Sequence, residues 1–144
     1  MKVSWCLFFM ILSCNILCAQ NITGTWEGEL VQENSTFSNQ YKLTLTLKQV
    51  GKKISGTAAI SIEKISAEVE LSGKMIAKNM YELNEIRILR HTEEKNQEWC
   101  LGRFLLNYEK TEKGRELSGF FDSKTTFSTC PVSKIKLVKG VPRA

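Results

Sequence analysis

Between Tyr41 and Lys48 apolar and polar residues alternate without a break: Tyr41, Leu43, Leu45 and Leu47 against Lys42, Thr44, Thr46 and Lys48. A period of two sends successive side chains to opposite faces of a pleated strand, so one face is buried and the other wetted. The pattern recurs, for example where Ala67, Val69 and Leu71 alternate with Ser66, Glu68, Glu70 and Ser72. No segment carries an apolar stripe at helical spacing with caps. The predicted strands cover roughly 22–32, 40–50, 53–62, 66–77, 80–90, 98–109, 115–122 and 132–139.

Turn signals separate them. Val50-Gly51-Lys52-Lys53 reads as a tight hairpin turn, Lys78-Asn79 as a break and Glu109 to Gly114 as a charged turn. The polar stretch His91 to Gln97 and the Ser/Thr-rich stretch 122–131 read as exposed loops, and loops often carry function. Short connections and the absence of proline before Pro131 favour an antiparallel meander in which neighbours pair through hairpins. Eight such strands close into an up-and-down barrel and remove the edges that an open sheet exposes. A two-sheet β-sandwich is the alternative that the same alternation permits. Ile54-Ser55-Gly56, Leu71-Ser72-Gly73 and Leu117-Ser118-Gly119 repeat an apolar-Ser-Gly unit. Glycine inside a strand marks a bend or a close backbone approach, which small barrels need in order to curl.

The N-terminus is of another kind. Lys2, an apolar run from Val3 to Leu12 and Leu17-Cys18-Ala19 before Gln20 form a secretory signal pattern. Cleavage after Ala19 leaves residues 20–144 as one domain, secreted or periplasmic, with no transmembrane segment after leader cleavage. The alternative is a lipoprotein anchored through Cys14, since Ile11-Leu12-Ser13-Cys14 resembles a lipobox. Three of the five cysteines, Cys6, Cys14 and Cys18, leave with the leader. The remaining two, Cys100 and Cys130, suit a disulfide in an oxidising compartment. Such a bridge would close a loop of about 30 residues, worth roughly 3–4 kcal/mol in the chain-entropy account.

The chemical inventory is thin. His91 is the only histidine and Asp122 the only aspartate, which gives no basis for a catalytic triad, a metal site or a cofactor motif. The glutamates fall mainly opposite apolar positions or in loops, where solvated charge belongs. A net charge of +5 with no concentrated basic run gives no basis for nucleic-acid binding.

Asn21-Ile22-Thr23-Gly24-Thr25-Trp26 opens the first strand. This Gly-x-Trp resembles the first signature of lipocalins and the wider calycin group, and also the opening of avidin-type barrels. The resemblance implies that Trp26 lies across the closed end of the barrel and that Gly24 lets the chain approach it. The lipocalin second motif and the avidin polar residues after the Trp are both absent, so biotin binding is not implied. The chain is similar to small exported lipocalin-like bacterial domains.

The resulting expectation is non-enzymatic binding of a small apolar or amphipathic ligand inside the barrel. Leu45, Phe104 and Tyr108 would be apolar walls, with Tyr41, Tyr81 and Arg103 as orienting polar groups. Leu43, Leu47, Ile60, Val69, Leu71 and Leu106 are further inward candidates. The rival expectation is a protein partner, or protease inhibition, met through the loops, with Phe120, Phe121 and Phe127 beside the last of them.

Overall fold

The computed structural model describes residues 21–33, 38–92, 100–123 and 132–140. Eight strands run in chain order: β1 (Gly24–Glu33), β2 (Ser38–Val50), β3 (Lys53–Ile62), β4 (Ile65–Ala77), β5 (Met80–His91), β6 (Gly102–Thr111), β7 (Gly114–Ser123) and β8 (Ser133–Lys139). Each bonds antiparallel to the next, and β1 bonds to β8, so the sheet closes on itself as an up-and-down barrel. The sandwich alternative is thereby excluded. The leader (1–19), Phe127 and Cys130, the expected partner of Cys100, lie outside the described residues.

The alternation fixes what goes inside. Trp26 stands opposite Leu45, Leu45 opposite Ala58 and Ala58 opposite Val69. On the far wall Leu83 stands opposite Phe104 and Phe104 opposite Phe121. All of these are buried and belong to one continuous core cluster, as do Leu43, Leu47, Leu71, Leu106 and Tyr108. Ile60 is half-buried against that cluster.

The glycine repeat is a packing device. At Gly56 an added Cβ would lie 2.0 Å from the Thr46 carbonyl oxygen, and at Gly119 1.8 Å from that of Leu105. Both occupy inward positions where the sheet coils so tightly that the neighbouring backbone takes the place of a side chain.

The sixth strand departs from expectation. It begins at Gly102, not at 98, and Cys100 and Leu101 stand outside the ladder. Its pairing with β5 is short: Met80–Asn84 meet Arg103–Asn107. Past Asn84 the two strands part, and the rest of β5 stays bonded to β4 alone. Two extra residues bulge from β5 against β4, the irregularities falling between Glu70 and Leu71 and between Glu68 and Val69. Bulges bend a strand and re-aim its side chains.

The two poles of the barrel differ. At one pole the turns are tight, with Gly51 (φ 61°) and Asn79 (φ 62°) in left-handed geometry, and residues 21–23 and Gly140 flank the sheet there. From the opposite pole leave the connections β1–β2, β5–β6 and β7–β8, together with the tight Glu63-Lys64 turn. Residues 34–37, 93–99 and 124–131 of those connections lie outside the described residues.

Candidate functional site

The tight-turn pole is closed, and its buried polar groups are paired. Trp26 is 0% exposed, and its indole N–H donates to the Ile22 carbonyl at 2.9 Å. Tyr108 meets the indole edge to face at 6.2 Å, and the Lys139 ammonium lies 6.0 Å from the ring centre. Above it, the buried Gln49 works as a plug. Its side-chain oxygen accepts the Ile22 N–H at 3.0 Å, and its amide donates to the Gly51 carbonyl at 2.9 Å. Its own backbone N–H donates to Thr23 Oγ1 at 2.9 Å. Gly24 has a φ of 135°, which L side chains rarely adopt, and a Cβ there would press on the flexible end of the Lys139 side chain at 3.1 Å. Gly24 and Trp26, the two fixed residues of the Gly-x-Trp motif, both lie at this pole.

The loop-bearing pole is built differently. Tyr41, Ile60, Ile88 and Leu101 are half-buried and pack on the core from that end. Among the described residues, two buried side-chain atoms have no hydrogen-bond partner, and both belong to this pole: Glu85 Oε1 and Ser133 Oγ. Ser133 is 0% exposed on the inward row of β8, between Phe121 and Gln32. A buried polar atom left unpaired costs on the order of 1–3 kcal/mol, so such groups call for a reason.

Glu85 owes its position to the split between β5 and β6. It follows Tyr81 and Leu83 on the inward row of β5 and stands opposite the buried Leu71. Where the ladder stops, its Oε2 accepts the Gly102 N–H at 3.0 Å in place of a strand carbonyl. Burial raises its pKa to about 7, against the smaller lowering effect of that hydrogen bond. Glu85 is an exception to the general placement of the glutamates on the wetted row or in loops. An open cleft of about 420 Å³ lies beside it, completed by Asn84, Leu101, Gly102, Arg103, Asp122 and Ser123. Immediately beyond, the bulge exposes Ile86 and turns Arg87 outward onto Glu70.

The six predicted ligand contacts do not form one group. Leu45, Tyr81, Phe104 and Tyr108 lie in the packed interior, at 0–5% exposure. Phe104 packs on Phe121 with ring centres 4.6 Å apart and planes tilted by 46°, and Tyr81 has its pKa raised by burial and by the neighbouring Tyr108. Tyr41 is half-buried at the loop pole, with its hydroxyl 3.5 Å from Gln32 Oε1. It also borders an open groove of about 640 Å³ whose lining includes Glu27, Glu29, Lys42 and Glu63. Arg103 is on the outer surface, 3.9 Å from the carboxylates of Glu82 and Asp122, and borders the Glu85 cleft from outside. Reading the sequence missed Glu85 and Ser133. The available signal was their phase: each continues an apolar row, Tyr81-Leu83-Glu85 and Ser133-Ile135-Leu137.

The expected aromatic cluster divides between the two faces. Phe121 turns inward, while Phe120 is 52% exposed on the outer wall, near the equally exposed Val132. Among the described residues no group of three His, Cys, Asp or Glu side chains could hold a metal ion. No protein-family model matches the chain, and no curated protein matches it.

Proposed function

We propose that this chain is an exported, non-enzymatic binding protein of lipocalin-like design that holds a small apolar or amphipathic ligand at the loop-bearing pole of its barrel. One observation carries the reading: the contrast between the poles. At the Trp26 pole the buried Gln49 and indole N–H are paired within the chain. At the other pole, where half-buried apolar side chains pack on the core, a buried carboxyl oxygen and a buried hydroxyl have no partner among the described residues. Ligand sites combine apolar walls with a few such polar groups. The filled lower interior supports a shallow seat near Tyr41, Ile60, Ile88 and Leu101 over a deep central one. Mass spectrometry of the native protein from the exported fraction tests this. Expected is a copurifying small molecule, or saturable one-to-one uptake of an alkyl or aryl probe. Absence of both, with the barrel folded, refutes the reading.

A second reading has its own support. Phe120 on β7 and Val132, which immediately precedes β8, are each 52% exposed beside the β7–β8 connection. They suit a protein partner. Crosslinking in the exported fraction that Phe120→Ser abolishes, with probe uptake unchanged, would favour it.

A further inference from the structure

We propose that the polar end of the ligand is an amine: an ammonium group pairs with the buried, unpartnered Glu85 Oε1 where β5 and β6 part, while its apolar part lies on Tyr41, Ile60, Ile88 and Leu101. This rests on the ligand-binding reading above and names the ligand's chemistry.

The argument is one of charge and open valence. Glu85 Oε2 is already engaged by the Gly102 N–H, which fixes the carboxyl group in place. Oε1 is buried without a partner, beside a cleft large enough for a small head group. An ionised carboxylate only accepts hydrogen bonds, so its complement is a donor, and the strongest donors are cationic. Among the described residues no Lys or Arg occupies an inward position at this pole. The charged groups on the neighbouring strands are committed to the outer face: Arg103 to Glu82 and Asp122, and Arg87 to Glu70. His91 stands exposed at the rim, on the last pair of the β4–β5 ladder. A fatty carboxylate would therefore meet two acids, Glu85 and Asp122, and one base, Arg103, which already lies 3.9 Å from Glu82 and Asp122. An ammonium would find its counter-ion and supply the opposite charge that Glu85 lacks. Ser133 Oγ, fully buried on the inward row of the same pole, is a second open hydrogen-bonding atom.

A matched series with one tail and three heads tests the idea: octylamine, octanol and octanoate, titrated calorimetrically at pH 8 into the full-length exported protein. Octylamine is expected to bind at least about ten-fold more tightly than the other two, the scale of a charge-assisted hydrogen bond. Glu85→Gln should bring octylamine to within about two-fold of octanol and leave octanol unchanged, with thermal melting confirming that the variant folds. The unmodified protein gives an independent measure. At pH 5.5 the amine stays charged but Glu85 takes up a proton, so the amine preference should fall about ten-fold. Equal binding of the three heads, a preference for octanoate, or a preference indifferent to both Glu85→Gln and pH overturns the amine assignment and leaves ligand binding standing. If none of the three binds, the ligand-binding reading falls and this inference with it.

Discussion

Glu85→Gln should change how stability responds to pH. In the unfolded chain the carboxyl titrates at its ordinary 4.5, and in the folded barrel at about 7. Between those values the folded protein holds a proton that the unfolded chain has released. Stability from this group is therefore complete below pH 4.5, falls as pH rises towards 7 and is flat above it. A separation of that size corresponds to at most about 3 kcal/mol, and water reaching the open cleft makes about 2 kcal/mol a fairer figure. The neutral amide has no such term, although it can still accept the Gly102 N–H. Urea unfolding of both proteins at pH 5 and pH 8 isolates the effect, because the remaining titrating groups are common to the pair. At pH 5 the two should lie within about 1 kcal/mol, the scale of one altered hydrogen bond. At pH 8 the glutamine variant should be the more stable, by about 1–2 M in urea midpoint for an ordinary slope. A gap between the two proteins that is the same at both pH values would refute the claim that an ionisable carboxyl is buried in the β5–β6 split.

Other perturbations address the frame. Trp26→Ala should cost about 3–5 kcal/mol, read as a lowered melting temperature, since it empties the closed pole. Gln49→Leu leaves the Ile22 N–H and the Gly51 carbonyl without their partner, and should cost about 1–3 kcal/mol in urea unfolding. Gly56→Ala forces a methyl into the Thr46 carbonyl and should prevent folding as judged by circular dichroism, whereas Gly51→Asn, in open space at a turn, should leave the fold intact. Arg87→Ala removes an exposed ion pair with Glu70 and should shift stability by less than about 1 kcal/mol.

The fold was legible because closure into a barrel makes one rule serve every strand. Residues such as Leu43, Leu45 and Leu47 must all turn inward, and the sequence alternates accordingly. Turn chemistry supplied the connections, with Gly51 and Asn79 in the left-handed conformations that such turns demand. The barrel could be told from the sandwich only through the β1–β8 ladder, which joins strands far apart in the chain and leaves no local trace. The candidate site was harder for two physical reasons. A bulge shifts the phase of a strand, so alternation carries Glu85 inward behind Tyr81 and Leu83 but cannot say that Ile88 faces inward while Arg87 faces out. The parting of β5 from β6 is also a tertiary event: nothing near Asn84 announces that pairing stops there. Arg103 shows the converse, a polar residue proposed for the interior whose register sends it outward, between Asn84 and Asp122.

The β1–β8 seam also bears on how the chain reaches its structure. Seven of the eight ladders are hairpins between consecutive strands and can form from local encounters. The eighth must bring the two ends of the chain together, finishing where the Gly140 N–H donates to the Thr25 carbonyl at 2.8 Å. Closing so long a loop is entropically slow, so zipping of this seam is expected to limit the folding rate. A circular permutant that links Gly140 to Asn21 and opens the chain within 34–37 would turn the β1–β8 ladder into a hairpin and make β1–β2 the seam that closes last. It should keep the same closed wall, with the slow step moved to the β1–β2 ladder.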